Sequence, residues 1–236
     1  MREVHIKQKL EEIGIPVETL SLGDFDQLGH FTAYKPRQPD SELYKKVGCY
    51  FRPNYERGLL IYSLIRRYRV ETYLEIGFGR GYSALCAGKA MSENGGGTVV
   101  SVDPNFDKNH FEFLKKVYPS EWTASIEVVK EKSQDFLPTM KRKYDFIYID
   151  GDHTFDAVKS DWENSKDNYL KFLLFDDYHK ATKDSPVEIE CAKVIDDIED
   201  SSKELIIMDR RIFVDDRRIP DEDINYGQVL LSKINE

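Results

Sequence analysis

Residues 73–83 read Tyr-Leu-Glu-Ile-Gly-Phe-Gly-Arg-Gly-Tyr-Ser: a short β-forming run that breaks into three glycines at alternate positions, Gly77, Gly79 and Gly81. Residues 82–91, which follow, have helical character. A strand, a glycine turn and a helix in that order form the first βα unit of an open α/β sheet. In such sheets the ligand lies beyond the carboxyl ends of the strands, and glycine lets backbone approach it.

The residues around the turn select the ligand. A dinucleotide fingerprint needs its third glycine at position 82, where Tyr82 stands, and Glu75 precedes the turn. A pyrophosphate gains nothing from a neighbouring carboxylate, whereas the ammonium and sulfonium groups of S-adenosylmethionine do. The next β run ends in Val102-Asp103-Pro104, which puts Asp103 where both ribose hydroxyls can donate to it. The turn is therefore expected to cradle S-adenosylmethionine, with Glu75, Gly77, Gly79, Gly81 and Asp103 around it.

Outward from the turn, β-rich runs alternate with helical ones. A helix is expected over Tyr55–Tyr68, then strands over 71–76, 97–102, 124–129, 144–149 and 172–176, with helices over 82–91, 109–117, 133–141 and 155–168 between them. A further helix over 187–198 is followed by β runs 204–214 and 226–232, separated by a polar stretch with Pro220. The pattern predicts a doubly wound, mostly parallel seven-stranded sheet with an antiparallel edge pair. Residues 1–52 are expected to form an N-terminal cap or lid, with an amphipathic stretch over Val4–Ile13, and residues 53–236 the main domain.

Composition narrows the partners. With 34 Lys plus Arg against 43 Asp plus Glu the formal charge is −9, so the mean field repels nucleic acid and anionic membranes and favours a small-molecule acceptor. The basic runs Lys141-Arg142-Lys143 and Arg210-Arg211 read as solvated surface. Cys49, Cys86 and Cys191 are scattered, without the spacing of a disulfide framework or a zinc site. No apolar run approaches the ~18 residues that span a bilayer, and the charged N-terminus lacks a secretion signal. A cytoplasmic protein is expected, and a homo-oligomer is compatible with the composition.

The richest chemistry lies at two later strand ends, Ile149-Asp150-Gly-Asp152-His153 and Phe175-Asp176-Asp177-Tyr178. Three carboxylates gathered there repel one another unless a cation compensates them. Oxygen-only ligands favour Mg²⁺, with Mn²⁺ or Ca²⁺ as alternatives, so Asp150, Asp176 and Asp177 are the expected metal ligands. A metal-bound hydroxyl needs a base, and His153 is placed to serve. Asp152 and Thr154 equally suit a helix N-cap.

These motifs resemble class I S-adenosylmethionine-dependent methyltransferases, in particular the metal-dependent O-methyltransferases of the catechol and caffeoyl-CoA type. The resemblance covers about residues 55–180. Tyr73-Leu-Glu-Ile-Gly through Gly81-Tyr-Ser-Ala is similar to their first motif, which implies that Tyr82 and Ser83 also line the cofactor site. Lys132-Ser133-Gln134-Asp135 resembles the segment whose Ser and Gln contact adenine, and Tyr144–Asp150 the strand ending in a metal ligand that also borders the cofactor. Asp177 stands where those enzymes usually have Asn, and His153 where they have a lysine base. Both changes resemble the macrocin and mycinamicin sugar O-methyltransferases. Lys171-Phe172 departs from the usual Gly-Gly. The resemblance implies metal-assisted methyl transfer to a hydroxyl, on a sugar or polyol-like molecule. The alternatives are metal-independent methylation of nitrogen or nucleic acid, and a non-catalytic cofactor-binding protein.

Overall fold

The computed structural model describes residues 1–14, 55–179, 190–207 and 226–234. Among these the elements run β1 (Arg2–His5), α1 (Ile6–Ile13), α2 (Tyr55–Tyr68), β2 (Thr72–Ile76), α3 (Tyr82–Glu93), β3 (Thr98–Val102), α4 (Lys108–Val117) and α5 (Ser120–Thr123). Then follow β4 (Ile126–Val129), α6 (Ser133–Phe136), β5 (Tyr144–Ile149), α7 (Phe155–Ser165), β6 (Tyr169–His179), α8 (Cys191–Asp196), β7 (Glu204–Ile207) and β8 (Tyr226–Ser232).

The strands form one sheet in the order β1-β7-β8-β6-β5-β2-β3-β4. All pairings are parallel except those of β8, which runs antiparallel to both β6 and β7. Because successive residues of a strand face opposite sides, the buried strands feed two apolar layers. Tyr73, Phe146 and Tyr148 enter the layer covered by α1, α2, α3 and α4, while Leu74, Ile147 and Ile149 enter the layer covered by α7 and α8. The doubly wound, mostly parallel fold is thus the expected one. The order reverses between β2, whose neighbours are β3 and β5, and the ligand crevice opens at that switch point.

Among the described residues the sheet has eight strands, where seven were expected. Residues 2–5, the last two of which were expected to open the amphipathic stretch Val4–Ile13, pair in parallel with β7, with Val4 buried between exposed neighbours. Charge protects this new edge: Arg2 donates to Glu204 Oε1 at 2.7 Å. The amphipathic reading holds for α1, whose Ile6, Leu10 and Ile13 recur at helical spacing and are buried. Residues 1–14 therefore join the sheet and its core. The expected division after residue 52, like most of the expected cap, lies outside the described residues.

Two other departures have local causes. The helix expected over 133–141 stops at Phe136 and tightens into a 3₁₀ turn over Leu137–Thr139, where Pro138 cannot donate to an α-helical ladder. At the Lys171-Phe172 departure, Lys171 Nζ donates to the carbonyls of Tyr68 at 3.3 Å and Arg69 at 3.0 Å, satisfying the end of α2. Among the described residues no helix is long and apolar enough to cross a membrane.

Candidate active site

A cleft of about 1070 Å³ opens over the carboxyl ends of β2, β3 and β5. Gly77, Gly79, Tyr82, Ser83, Asp103, Ser133, Gln134 and Asp150 all line it, so the structure brings together most of the residues expected to bind the cofactor. The three glycines serve different ends. All have positive φ, but a Cβ on Gly77 would meet the Asp150 carbonyl oxygen at 2.0 Å, and one on Gly81 would meet the Phe78 ring at 2.6 Å. A Cβ on Gly79 would meet nothing within 4 Å. Protein packing thus favours glycine at 77 and 81, and of the three only Gly79 has open space where a side chain would stand.

Asp103 stands against the turn and is tied to it. Its Oδ2 accepts the Gly79 N–H at 2.9 Å and its Oδ1 the Asn105 N–H at 2.7 Å. An ionised carboxylate has about four acceptor sites, so two remain for hydroxyls. A turn with open space beside Gly79 and, bonded to it, an anchored acid with acceptor sites to spare fit S-adenosylmethionine.

Glu75 does not line the cleft. It is fully buried beneath the first turn of α3, where its carboxylate accepts the hydroxyls of Ser83 and, at 2.6 Å, of Ser101. The strand pleat turns this side chain under the helix rather than out past the strand end. Burial pushes its pKa up to about 7 against the two serines. Glu75 therefore braces the turn and complements the amino end of α3, and direct contact with a cationic ligand is not its geometry.

The acid cluster forms where β5 and β6 end side by side. Asp177 has φ 53°, a left-handed conformation that Asp and Asn tolerate better than other side chains. The irregularity between Phe175 and Tyr178 in the ladder with β8 belongs to the same kink, which aims Asp177 at the loop after β5. There its Oδ2 lies 3.1 Å from His153 Nε2. Burial lowers the His153 pKa, against Asp176 and with the help of Arg57, which favours the neutral ring. Burial and the adjacent Asp176 raise Asp150 well above the usual carboxylate range, with Arg57 opposing.

The expected three-carboxylate metal centre does not fit this arrangement. Asp176 Oδ2 accepts from Tyr148 Oη at 2.6 Å and from Arg57 Nη1 at 2.6 Å. Its Oδ1 accepts from the Asp177 N–H at 2.8 Å and from Gln228 Nε2 at 3.3 Å. Asp177 Oδ1 accepts from Arg57 Nη2 at 2.9 Å. Asp176 and Asp177 are compensated from within the chain by Arg57, and both oxygens of Asp176 are engaged, while Asp150 accepts from Tyr148 Oη at 3.3 Å. Single ligand-type atoms of Asp150, His153 and Asp177 lie within 4.8 Å of one another, a set that takes the imidazole and omits Asp176.

Sequence reasoning missed Arg57, Tyr148 and Gln228, although each carried a signal. Arg57 places a cation in the first turn of a helix, where the dipole disfavours it unless acids face it. Tyr148 and Gln228 put polar atoms into otherwise apolar, buried strands. His110 lies 3.0 Å from the Arg80 carbonyl through Nε2 and braces the glycine turn.

Beside the Ser133 segment, Asp161 is 1% exposed and neither of its carboxylate oxygens has a hydrogen-bond partner. Burial pushes its pKa up to about 6, only partly offset by the nearby Ser133 hydroxyl. A raised carboxyl binds its proton more tightly in the native state than in the unfolded one, so stability falls as pH rises from about 4 to about 6 and stays reduced above that. Asp161→Asn removes this ionisation and is expected to stabilise the protein at pH 8 by on the order of 1 to 2 kcal/mol, and by much less at pH 4. Thermal unfolding of both proteins across that range checks it; parallel curves would contradict it.

Residues 74–178 match the family model described as a methyltransferase domain. A putative caffeoyl-CoA O-methyltransferase of Arabidopsis thaliana is 27% identical over 118 residues, 50% of this chain and 48% of the relative, so the match spans about half of that protein. Among solved structures, an O-methyltransferase from Bacillus cereus in complex with SAH superposes with TM-score 0.53 at 16% identity, over 96% of each chain. The O-methyltransferase TomG from Streptomyces achromogenes, involved in tomaymycin synthesis and solved with SAM, gives TM-score 0.51 at 14% identity, over 75% of this chain and 79% of that one. At these identities the structural likeness speaks for the fold.

Proposed function

We propose that this chain is an S-adenosylmethionine-dependent methyltransferase of the class I type that methylates a hydroxyl of a small molecule, with a sugar or polyol-like acceptor; the match of residues 74–178 to a methyltransferase-domain model supports the first part of this reading. The observation that carries the proposal is the His153–Asp177 pair, 3.1 Å apart and adjoining the cofactor cleft. S-adenosylmethionine, bound between Gly79, Asp103 and the Ser133-Gln134 segment, supplies an electrophilic methyl group. Methyl transfer to oxygen then requires that the acceptor hydroxyl lose its proton as the bond forms.

His153 takes that proton. With Nε2 toward Asp177, Nδ1 is the nitrogen that accepts it, and Asp177 fixes the ring and stabilises the imidazolium that results. Arg57 holds Asp177 in place through its Oδ1. This transfer needs no divalent ion, because Asp176 and Asp177, two of its three expected ligands, are already bound to Arg57. The net charge of −9 favours a small molecule over a polynucleotide as the acceptor. The Arabidopsis relative's name points to oxygen as the atom methylated.

Calorimetry with S-adenosylhomocysteine, followed by label transfer from S-adenosylmethionine to pooled hydroxylated small molecules and separately to RNA, tests the proposal. Cofactor binding with label in the hydroxylated pool is expected. Absence of binding, or label confined to RNA, would refute it.

A further inference from the structure

The acid pair at the end of β6 has a partner that no sequence motif announced. Arg57 lies in the first turn of α2, and the next residue fixes where that turn sits. A Cβ on Gly58 would meet Tyr82 Oη at 2.3 Å and Cys86 Sγ at 2.7 Å, so α2 packs flush against α3. From there Arg57 reaches across to the end of β6 and forks over both acids, Nη1 to Asp176 at 2.6 Å and Nη2 to Asp177 at 2.9 Å. The three side chains are 15%, 0% and 19% exposed, so solvent screens the contact little.

A fork of this kind competes directly with a divalent ion. Charge-assisted bonds from one planar guanidinium to two carboxylates are among the stronger protein hydrogen bonds. An ion coordinated by Asp176 and Asp177 would have to break them and take both carboxylates from a guanidinium in a largely buried place. It would also bring two positive charges against that guanidinium. The grouping of Asp150, His153 and Asp177 escapes none of this, since Asp177 belongs to the fork.

We propose that Arg57 is the resident cation of this site and takes the place of the divalent ion that the metal-dependent O-methyltransferases use. Arg57 is a positioning residue: it sets Asp176 and Asp177, and through Asp177 it sets His153. Only this last consequence rests on the function proposed above.

The test is Mn²⁺ binding to the full chain, read by the electron paramagnetic resonance of free Mn²⁺, with melting temperatures in Mg²⁺ and in chelator alongside. The wild type is expected to bind Mn²⁺ no tighter than about millimolar and to melt at the same temperature in both conditions, whereas Arg57→Gln binds Mn²⁺ at least about tenfold tighter and gains a chelator-reversible rise in melting temperature. Tight Mn²⁺ binding by the wild type, or no gain in Arg57→Gln, overturns the proposal. If Arg57→Gln does not fold, the wild-type titration decides alone, tight binding overturning the proposal and its absence upholding it. S-adenosylhomocysteine calorimetry on the same samples keeps the outcomes apart, because its failure would remove the proposed function and leave the assignment of Arg57 standing.

Discussion

His153→Ala is expected to lower methyl transfer to the wild-type acceptor by about a hundredfold to a thousandfold while leaving S-adenosylhomocysteine affinity unchanged, the range that a positioned general base contributes. The side chain is 45% exposed and lies in the loop between β5 and α7, so its removal opens no cavity in either apolar layer. It is also absent from the cofactor cleft, which separates a chemical effect from a binding effect. Asp177→Asn is the informative companion. Asn accepts the left-handed backbone at 177 and can still receive a hydrogen bond, but it stabilises an imidazolium less well, so a loss of about tenfold is expected. Single-turnover measurements with saturating cofactor give the rates, and melting temperatures expose any structural damage. Retention of activity within about threefold in His153→Ala would remove the base from the mechanism.

The parts of this molecule legible in its sequence are those where one local pattern decides the outcome. Tyr144–Ile149 is buried at every position and reads as a strand from its β-forming residues around Asp145; Val4–Ile13 reads as amphipathic, and within it Ile6, Leu10 and Ile13 are buried on one helix face. The glycine turn was recognised for a similar reason, since positive φ at 77, 79 and 81 favours one residue type. Strand β1 was hidden because four residues with a single buried side chain carry too little periodicity, and its place in the sheet depends on β7, some two hundred residues away.

The acid cluster exposes a different limit. Chain order revealed that Asp150, Asp176 and Asp177 converge, because strands that alternate with helices in a parallel sheet bring their carboxyl ends to one side. It did not reveal what compensates their charge. A metal ion and an arginine from a distant helix satisfy the same electrostatic need, and only the packing of α2 on α3 through Gly58 distinguishes them. Glu75 was misplaced for a related reason. The acid was correctly tied to the turn, but whether a strand-end side chain points outward or under the helix depends on the pleat and on the two serines that receive it.

Gly77→Ala is expected to be the most damaging single-methyl change in the cradle, costing roughly 3 to 5 kcal/mol of stability from strained backbone and overpacking together. The added Cβ would lie 2.0 Å from the Asp150 carbonyl oxygen, 2.7 Å from its carbon and 3.1 Å from Gly151 Cα, all backbone atoms with no rotamer to yield. These atoms cannot retreat cheaply, because the Asp150 N–H is bonded to the Ile76 carbonyl at 2.9 Å and the Gly77 N–H to the Val102 carbonyl at 2.9 Å. Relief of the clash must therefore spread the ends of β2, β3 and β5, the three strands that carry the cleft. Gly79→Ala provides the control. Its φ of 52° imposes left-handed strain of about 1 to 2 kcal/mol, but its Cβ meets nothing within 4 Å. Gly79→Ala should accordingly fold and lose mainly cofactor affinity, since its methyl group enters open cleft. Urea denaturation of both variants with S-adenosylhomocysteine calorimetry distinguishes the two roles. Equal stability would mean that the glycine at 77, like that at 79, is there for the ligand and not for the closure of the sheet.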